Sequence, residues 1–377
     1  MMRVVMAGPT PPMIGGMSSV IDDIAHSSLA CEVELILFNT GKRTPEGRSL
    51  ARAVAARFTS WHAWWRALNP IGHSLAHIHT CSGLSYFLDG SYLLLARLRG
   101  VPVVLHVHGA RFDTFLDGLS PITRYLAQFI ARRAARVVVL SIEWQHKLES
   151  RLPGAQLTVI ENGVALPPFI KTNKTAGEII VLFLGNLCQR KGIWDLVACA
   201  KKLPFFARLV LVGGEEDPGI ACALRAYLAR EGLEDRVELT GPAVGTAKFN
   251  WLRNADIFVL PSYAEGVPIS MLEAAAAGLP LIVTPVGGIP SVLSGNEHAI
   301  FVQPGDRNAL SSAMISLIET PALRAKLGNA ARKHVLEQYG IDHTARKYLD
   351  LYRELIPEFF SSDMQKITHK REVKDGV

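Results

Sequence analysis

Two glutamates, Glu265 and Glu273, stand eight residues apart in the stretch PSYAEGVPISMLEAAAAGLP, and their neighbours restrict the chemistry open to them. Gly266 offers a backbone with no side chain, which a ligand can approach closely. Pro268 falls where a helix would begin, its missing N–H costing nothing at a first helical position. Ile269 to Ala277 can continue that helix, and Gly278 and Pro280 stop it. The free N–H groups of such a start, at Ile269, Ser270 and Met271, suit a diphosphate through unsatisfied donors and the helix dipole. Carboxylates beside an anion site repel the anion, so they must serve other groups, and sugar hydroxyls are the natural partners. The pattern reads as a nucleotide-sugar site.

Other residues could carry parts of the same chemistry. Lys191 sits in the loop GNLCQRKG, after an apolar run at 179–184. A fixed cation there would stabilise charge building on a departing diphosphate without moving a proton; a solvated surface lysine is the plain alternative. Gly15 and Gly16, in PPMIGGMSSV, follow the first strand-like run and precede a helical pattern. They do not form a G-x-G-x-x-G fingerprint and alone would more often be a turn. Glu215, Glu216 and residues 242–244 are weaker candidates for framing a nucleotide. Cys188 reads as a small spacer inside the lysine loop.

Two H-x-H pairs, His77 and His79 in AHIHT and His106 and His108 in LHVHG, each place both side chains on one strand face. For His77, His79 and His106 the expected role is that of a hydrogen-bonded core residue. Such pairs also permit a rival of another class, a metal-dependent hydrolase, which needs further His or Asp ligands at later strand ends. Those ends carry Gly-Gly-Glu, Thr-Gly-Pro and Pro-Ser-Tyr instead.

The elements that must position these residues follow from hydrophobic periodicity. Strand-like runs fall at 3–7, 33–38, 75–80, 102–107, 136–140 and 156–160. After a linker-like stretch at 165–177, a second series follows at 179–184, 208–212, 236–240, 256–260, 280–283 and 299–302. They alternate with helical patterns, and helices at 306–319, 321–338 and 342–356 close the chain. This is an α/β protein of two parallel-sheet domains. Open sheets of this kind hold ligands at the carboxyl ends of their strands, where every motif above falls, so all would line one cleft between the domains. Asn162, Gly163 and Asp306 read as structural turns.

At 377 residues the chain is long for one core, and its 49% hydrophobic and 20% charged residues are ordinary for a globular protein. No signal peptide is evident, and five unclustered cysteines fit a reducing cytoplasm. The +6 charge is uneven: residues 1–165 hold sixteen basic and eleven acidic side chains. That excess favours an anionic partner, with nucleic acid a poor candidate for want of any basic recognition motif. Leu50, Val54, Phe58, Trp61, Trp65 and Leu68 repeat at helical spacing, with Arg48, Arg52 and Arg66 opposite and Arg57 and Trp64 flanking. The stripe is expected to pack on the first sheet; the alternative is a basic, tryptophan-bearing face resting on anionic lipid at the inner side of the cell membrane.

Taken in order, PPMIGGMSSV, HVHG, ENGV, GNLCQRKG, VELTGP, the E-x7-E block with EGVP inside it, and PGD span nearly the whole chain. Together they resemble the retaining glycosyltransferases of family 4. The resemblance implies the GT-B fold: an acceptor-binding Rossmann-like domain at 1–165 and a donor-binding one at 166–340. A helix at 341–357 would pack back on the first, before a disordered tail at 358–377. It implies a catalytic set of His108, Lys191 and Glu265. The donor would be held by Gly16, Arg190, Lys191, Glu265, Gly266, Val267, Pro268, Ile269, Ser270, Met271 and Glu273. Glu265 would take the donor sugar's hydroxyls and Glu273 those of the ribose. Many members carry arginine directly after the loop's first glycine; here stands Asn186, with Arg190 placed to substitute. No D-x-D element appears, and the resemblance implies no metal or other cofactor, a UDP- or GDP-linked sugar being the substrate. The implied reaction retains anomeric configuration, with a glycan or lipid-linked glycan as acceptor, as in exopolysaccharide biosynthesis. A nucleotide-sugar epimerase and an inactive sugar-nucleotide-binding partner are the alternatives.

Overall fold

The computed structural model describes residues 1–41, 50–68, 74–169 and 177–357. Arg48, most of the linker-like stretch and the tail after Pro357 lie outside them. All twelve apolar runs are strands, each ending within one residue of its expected limit. In the first sheet they are β1 (Met2–Gly8), β2 (Val33–Asn39), β3 (Ser74–Thr80), β4 (Val103–Val107), β5 (Arg136–Val139) and β6 (Leu157–Val159). In the second they are β7 (Ile179–Leu184), β8 (Ala207–Val212), β9 (Val237–Gly241), β10 (Ile257–Leu260), β11 (Leu281–Val283) and β12 (Ala299–Phe301). Continuous apolar runs mark strands covered by helices on both faces; β7 is buried from end to end.

Every pairing in both sheets is parallel, in the orders β2-β1-β3-β4-β5-β6 and β12-β11-β10-β7-β8-β9. Each sheet therefore has a point where the chain reverses its direction of growth, β1 against β3 and β7 against β10. In an open parallel sheet that point leaves a crevice beyond the strand ends, because successive connections depart to opposite faces. The lysine loop leaves β7 and the E-x7-E block leaves β10. These two motifs thus flank the crevice of one sheet.

The chain divides into two compact units. One comprises residues 1–13, 21–160 and, among the described residues, 344–357; the other comprises 14–20 and 161–343. The crossing falls at Ile160, five residues before the expected 165. Residues 161–164 belong to the second unit because Val164 exchanges backbone hydrogen bonds with its helix end: its N–H donates to Tyr339 O at 2.8 Å and its carbonyl accepts from Ile341 at 2.9 Å. Gly16 falls in the second unit, not in the first as expected. The closing helix Ile341–Leu355 buries Tyr348 and Tyr352 within the first unit.

One helix face differs from expectation. The helix Leu50–Ala67 turns Trp64 and Leu68 inward, at 0% and 1% exposure, and leaves Val54, Phe58 and Trp65 exposed. The flanking residue wins because its ring packs edge-on against Phe38 and Tyr92 while its indole N–H donates to Tyr92 O at 2.9 Å. On the same face Arg57 and Ser60 reach the Tyr92 hydroxyl. A buried Trp needs both an apolar slot and a hydrogen-bond acceptor; position 64 has them in full, while Trp61 is half-buried against the core and donates to Ser91 Oγ at 2.9 Å.

Candidate active site

The second unit's site starts from two glycines that let backbones meet. Gly192 adopts φ +69°, and a Cβ there would lie 2.1 Å from Pro261 O. Gly287 adopts φ +56°, and its Cβ would lie 1.8 Å from Glu265 O. Both positions demand glycine on two counts, conformation and space. They press the lysine loop and the 284–288 turn onto the 261–266 loop, which hydrogen bonds then stitch in place. Tyr263 N–H donates to Arg190 O at 2.8 Å, and the Arg190 guanidinium to Ala264 O at 3.0 Å. Gly288 N–H donates to Gly266 O at 2.8 Å.

Within that frame the expected residues converge. Lys191 Nζ lies 2.8 Å from Glu265 Oε1, and the same oxygen accepts from Ser262 Oγ at 2.7 Å. Arg190 lies 3.7 Å from the other oxygen and 3.1 Å from Glu216. Burial alone would lower the Arg190 pKa, but Glu265 and Glu216 outweigh it and hold the group firmly charged. Glu265 is buried at 5% exposure and so is not a loop residue solvating its charge. Two cations and two acids in one small space form a polar network whose members are all paired. An arriving diphosphate would compete with the carboxylates for those cations.

Helix geometry supplies the remaining donors. The helix Ile269–Ala276 begins one residue later than the first-position reading of Pro268 requires: Pro268 is its N-cap, at φ −69° and ψ 121°. The extended ψ suits the end of a loop, and Pro still forfeits no helical hydrogen bond there. The first-turn N–H groups of Ile269, Ser270 and Met271 have no carbonyl one turn back. Asn162 holds the turn from behind, its side-chain amide donating to Val267 O at 3.0 Å. It is more than a structural turn: it fixes the backbone from which the helix starts.

Glu273, on the second turn, is 8% exposed and hydrogen-bonded to Lys248. Burial raises its pKa, and Lys248 offsets part of the rise. Sequence reasoning missed Lys248, Ser262 and the reach of Asn162. Lys248 lies on Gly245–Asn254, a helix with no motif, and nothing in its spacing aligns it with Glu273. Of the weaker candidates, Glu216 is bound to Arg190, and Glu215 accepts from Gly219 N–H at 2.8 Å. Asn186 is 3.4 Å from Glu216. Asp306 caps its helix through Ala309 N–H, the structural role expected of it. Cys188 is buried, and burial pushes its thiol pKa up, away from reactivity. Gly16 opens the helix Gly16–Ala25, and a Cβ there would meet nothing within 4 Å.

In the first unit, β3 and β4 lie side by side with His79 opposite His106, which merges the two H-x-H pairs. His77, His79 and His106 are 0–1% exposed, and His108 is half-buried at the strand end. His79 Nδ1 and His108 Nε2 are 2.8 Å apart; His77 Nδ1 meets the Tyr352 hydroxyl at 2.6 Å and His106 Nδ1 that of Tyr348 at 3.2 Å. Burial pushes His77 and His108 down to about 3 and holds His79 and His106 well below 6.5. These are hydrogen-bonded core histidines with one member, His108, partly reaching the surface.

Known proteins match this arrangement along its length. The family model described as Glycosyltransferase Family 4 matches residues 14–166, and that described as Glycosyl transferases group 1 matches residues 178–320. A D-inositol 3-phosphate glycosyltransferase from Xylanimonas cellulosilytica is 30% identical over 328 residues, 80% of this chain and 74% of its own. A GDP-mannose:cellobiosyl-diphosphopolyprenol alpha-mannosyltransferase from Xanthomonas oryzae pv. oryzae is 25% identical over 370 residues, 92% of this chain and 94% of its own. Sucrose-phosphate synthase from Thermosynechococcus elongatus shares the fold with a TM-score of 0.77 at 21% identity, across 95% of this chain and 100% of that one. Two tandem family models, a relative matched over most of its length and the doubled parallel-sheet fold agree: the chain belongs to the family 4 glycosyltransferases, GT-B enzymes that use nucleotide sugars.

Proposed function

We propose that the protein transfers a hexose from a UDP- or GDP-linked donor to a lipid-linked glycan with retention of anomeric configuration, without a metal in the transfer step, in the assembly of a surface polysaccharide. The observation that carries the reading is the Lys191–Glu265–Ser262 contact at the crevice of the second sheet, beside the free N–H groups of Ile269 to Met271. Glu265 holds the Lys191 ammonium in place before the donor arrives, so the cation needs little reorganisation when charge develops on the leaving diphosphate. The helix start meets the same charge with backbone N–H groups. Glu265 and Glu273 are left for hydroxyls of the sugar and of the ribose. Arg190 adds a second fixed charge, which would otherwise fall to an arginine at position 186. The leaving phosphate takes the acceptor's proton during front-face attack. The acceptor class follows the mannosyltransferase relative, whose name specifies a diphosphopolyprenol-linked disaccharide.

A panel of UDP- and GDP-sugars tests the donor. One class should raise the melting temperature and undergo slow hydrolysis, with the liberated sugar first appearing as the donor's own anomer by proton NMR. The opposite anomer would remove the retaining mechanism, and no stabilisation by any member would remove the donor site.

Membrane contact fits the exposed face of the helix Leu50–Ala67. Val54, Phe58 and Trp65 lie outward, and Arg52 and Arg66 are exposed further round the same helix, so an apolar face with basic residues beyond it is offered to anionic lipid. No helix among the described residues is long and apolar enough to cross a membrane. Such contact would place the enzyme at the cytoplasmic face, near a polyprenol-linked acceptor. Phe58→Ala with Trp65→Ala should weaken sedimentation with phosphatidylglycerol vesicles at least tenfold while costing no more than about 2 kcal/mol of stability, the loss of the Phe58–Trp61 and Arg99–Trp65 ring contacts. Unfolding of the double variant, or unchanged sedimentation, would argue against the contact.

A further inference from the structure

The three histidines of β3 and β4, with His108 just beyond β4, contain a feature that glycosyl transfer leaves unused. One assignment of protons accounts for every hydrogen bond the three buried rings make. In that assignment, one of the tautomers the contacts allow, Nδ1–H of His77 donates to Tyr352, that of His106 to Tyr348, and that of His79 to His108 Nε2. This leaves Nε2 of His77, His79 and His106 as three lone pairs, each shielded from solvent and without a hydrogen-bond partner. One such group in a core costs about 1–3 kcal/mol, so three together call for a common occupant. One ring nitrogen from each residue lies within 4.8 Å of those of the other two.

We infer that His77, His79 and His106 form a transition-metal site, taking a zinc-type divalent ion through three neutral imidazoles. Imidazole is a preferred ligand of such ions, and burial keeps these rings unprotonated. The hydrogen bonds at Nδ1 provide what a metal-bound histidine requires on its far side, a partner that fixes tautomer and ring plane. Tyr348 and Tyr352 supply it for two rings and His108 for the third. Bonds of about 2.0–2.1 Å to three nitrogens set those nitrogens about 3.3–3.6 Å apart. The rings now stack with centroids 4.4, 4.9 and 5.5 Å apart. Side-chain rotations that bring the nitrogens from within 4.8 Å of one another to that spacing complete the site. The role is structural, joining β3 to β4 beneath the closing helix; the buried rings offer no path for a hydrolytic substrate. The inference is independent of the donor reading.

Metal content tests it on the full chain expressed without a polyhistidine tag. After loading with Zn(II) alone and dialysis against a weak chelator, the protein should retain one equivalent and melt roughly 5–10 °C higher at a hundredfold excess over Kd. Co(II) should give visible d–d bands of a nitrogen-ligated site without the thiolate charge-transfer bands of the free cysteines. His77→Gln and His106→Gln should each abolish retention, and Tyr352→Phe, which keeps the core volume, should weaken binding about 10–100-fold. Should the histidine variants fail to fold, Tyr352→Phe carries the test. Retention well below one equivalent, or retention unchanged by Tyr352→Phe and by any folded histidine variant, overturns the site.

Discussion

The two units treat buried ionisable groups in opposite ways. In the second, Lys191, Arg190 and Lys248 are mostly buried, and each meets a carboxylate: Glu265, Glu216 and Glu273. In the first, His77, His79 and His106 are buried without a carboxylate among their hydrogen-bond partners and are held neutral, and burial raises the Asp89 carboxyl to about 7. The contrast follows from the work asked of each. Under the proposed function the second unit's site receives a diphosphate and needs permanent charges nearby, and a permanent charge survives burial only when paired. A unit with no such ligand at its core can let burial strip the charge from its titratable groups. Paired charge is poised for exchange with a charged ligand; neutral groups pack, hydrogen-bond or, as imidazoles, offer lone pairs.

Three measurements would sharpen or break that contrast, beginning with the largest effect. Lys248→Met leaves the Glu273 carboxylate buried and alone, and should cost about 3 kcal/mol of second-unit stability at pH 8, at the low end for a broken buried pair because Lys248 keeps some exposure. Denaturant unfolding reads the loss directly, and adding Glu273→Gln should restore most of it. A variant as stable as the parent would show that Glu273 does not depend on its partner. Lys191→Ala should lower kcat by roughly 10²- to 10³-fold, as loss of one fixed oxyanion donor does, with a smaller change in KM. A change confined to KM would make Lys191 a binding residue with no part in the barrier.

The smallest effect concerns Asp89. Its folded pKa of about 7 exceeds the unfolded value of 3.8, mainly through burial. Between those values the folded chain holds a proton that the unfolded chain has lost. Its contribution to stability is complete below about pH 4 and falls as pH rises toward 7, at up to about 1.4 kcal/mol per pH unit. Asp89→Asn should remove that slope from the unfolding profile of the first unit. A slope equal in variant and parent would place the Asp89 pKa near its ordinary value, and the first unit would not be keeping that carboxyl neutral.

The central strands were legible in the chain because parallel strands covered on both faces are continuous apolar runs, and the half-buried edge strands β2, β6 and β9 because Gly, Pro and polar residues bound shorter apolar stretches. The donor motifs were legible for a related reason. Gly192, Gly266 and Pro268 are local requirements of tight loops and a helix start, so they are written next to the residues they serve. The face of the Leu50–Ala67 helix was not legible. Trp61, Trp64 and Trp65 are equally apolar, and the choice of 64 rested on Tyr92, a residue of another helix.

What the chain determined unaided, then, is the succession of strands and helices and the loops that leave β7 and β10, since each depends on residues within a few positions of one another. Tertiary structure alone decided which distant groups share a site: Lys191 with Glu265 across 74 residues, Lys248 with Glu273, Asn162 with Val267, and one histidine pair with the other. Strand order and the close backbone contacts at Gly192 and Gly287 set those meetings. Hydrophobic periodicity reports what kind of element a segment forms, and carries no record of what lies opposite it.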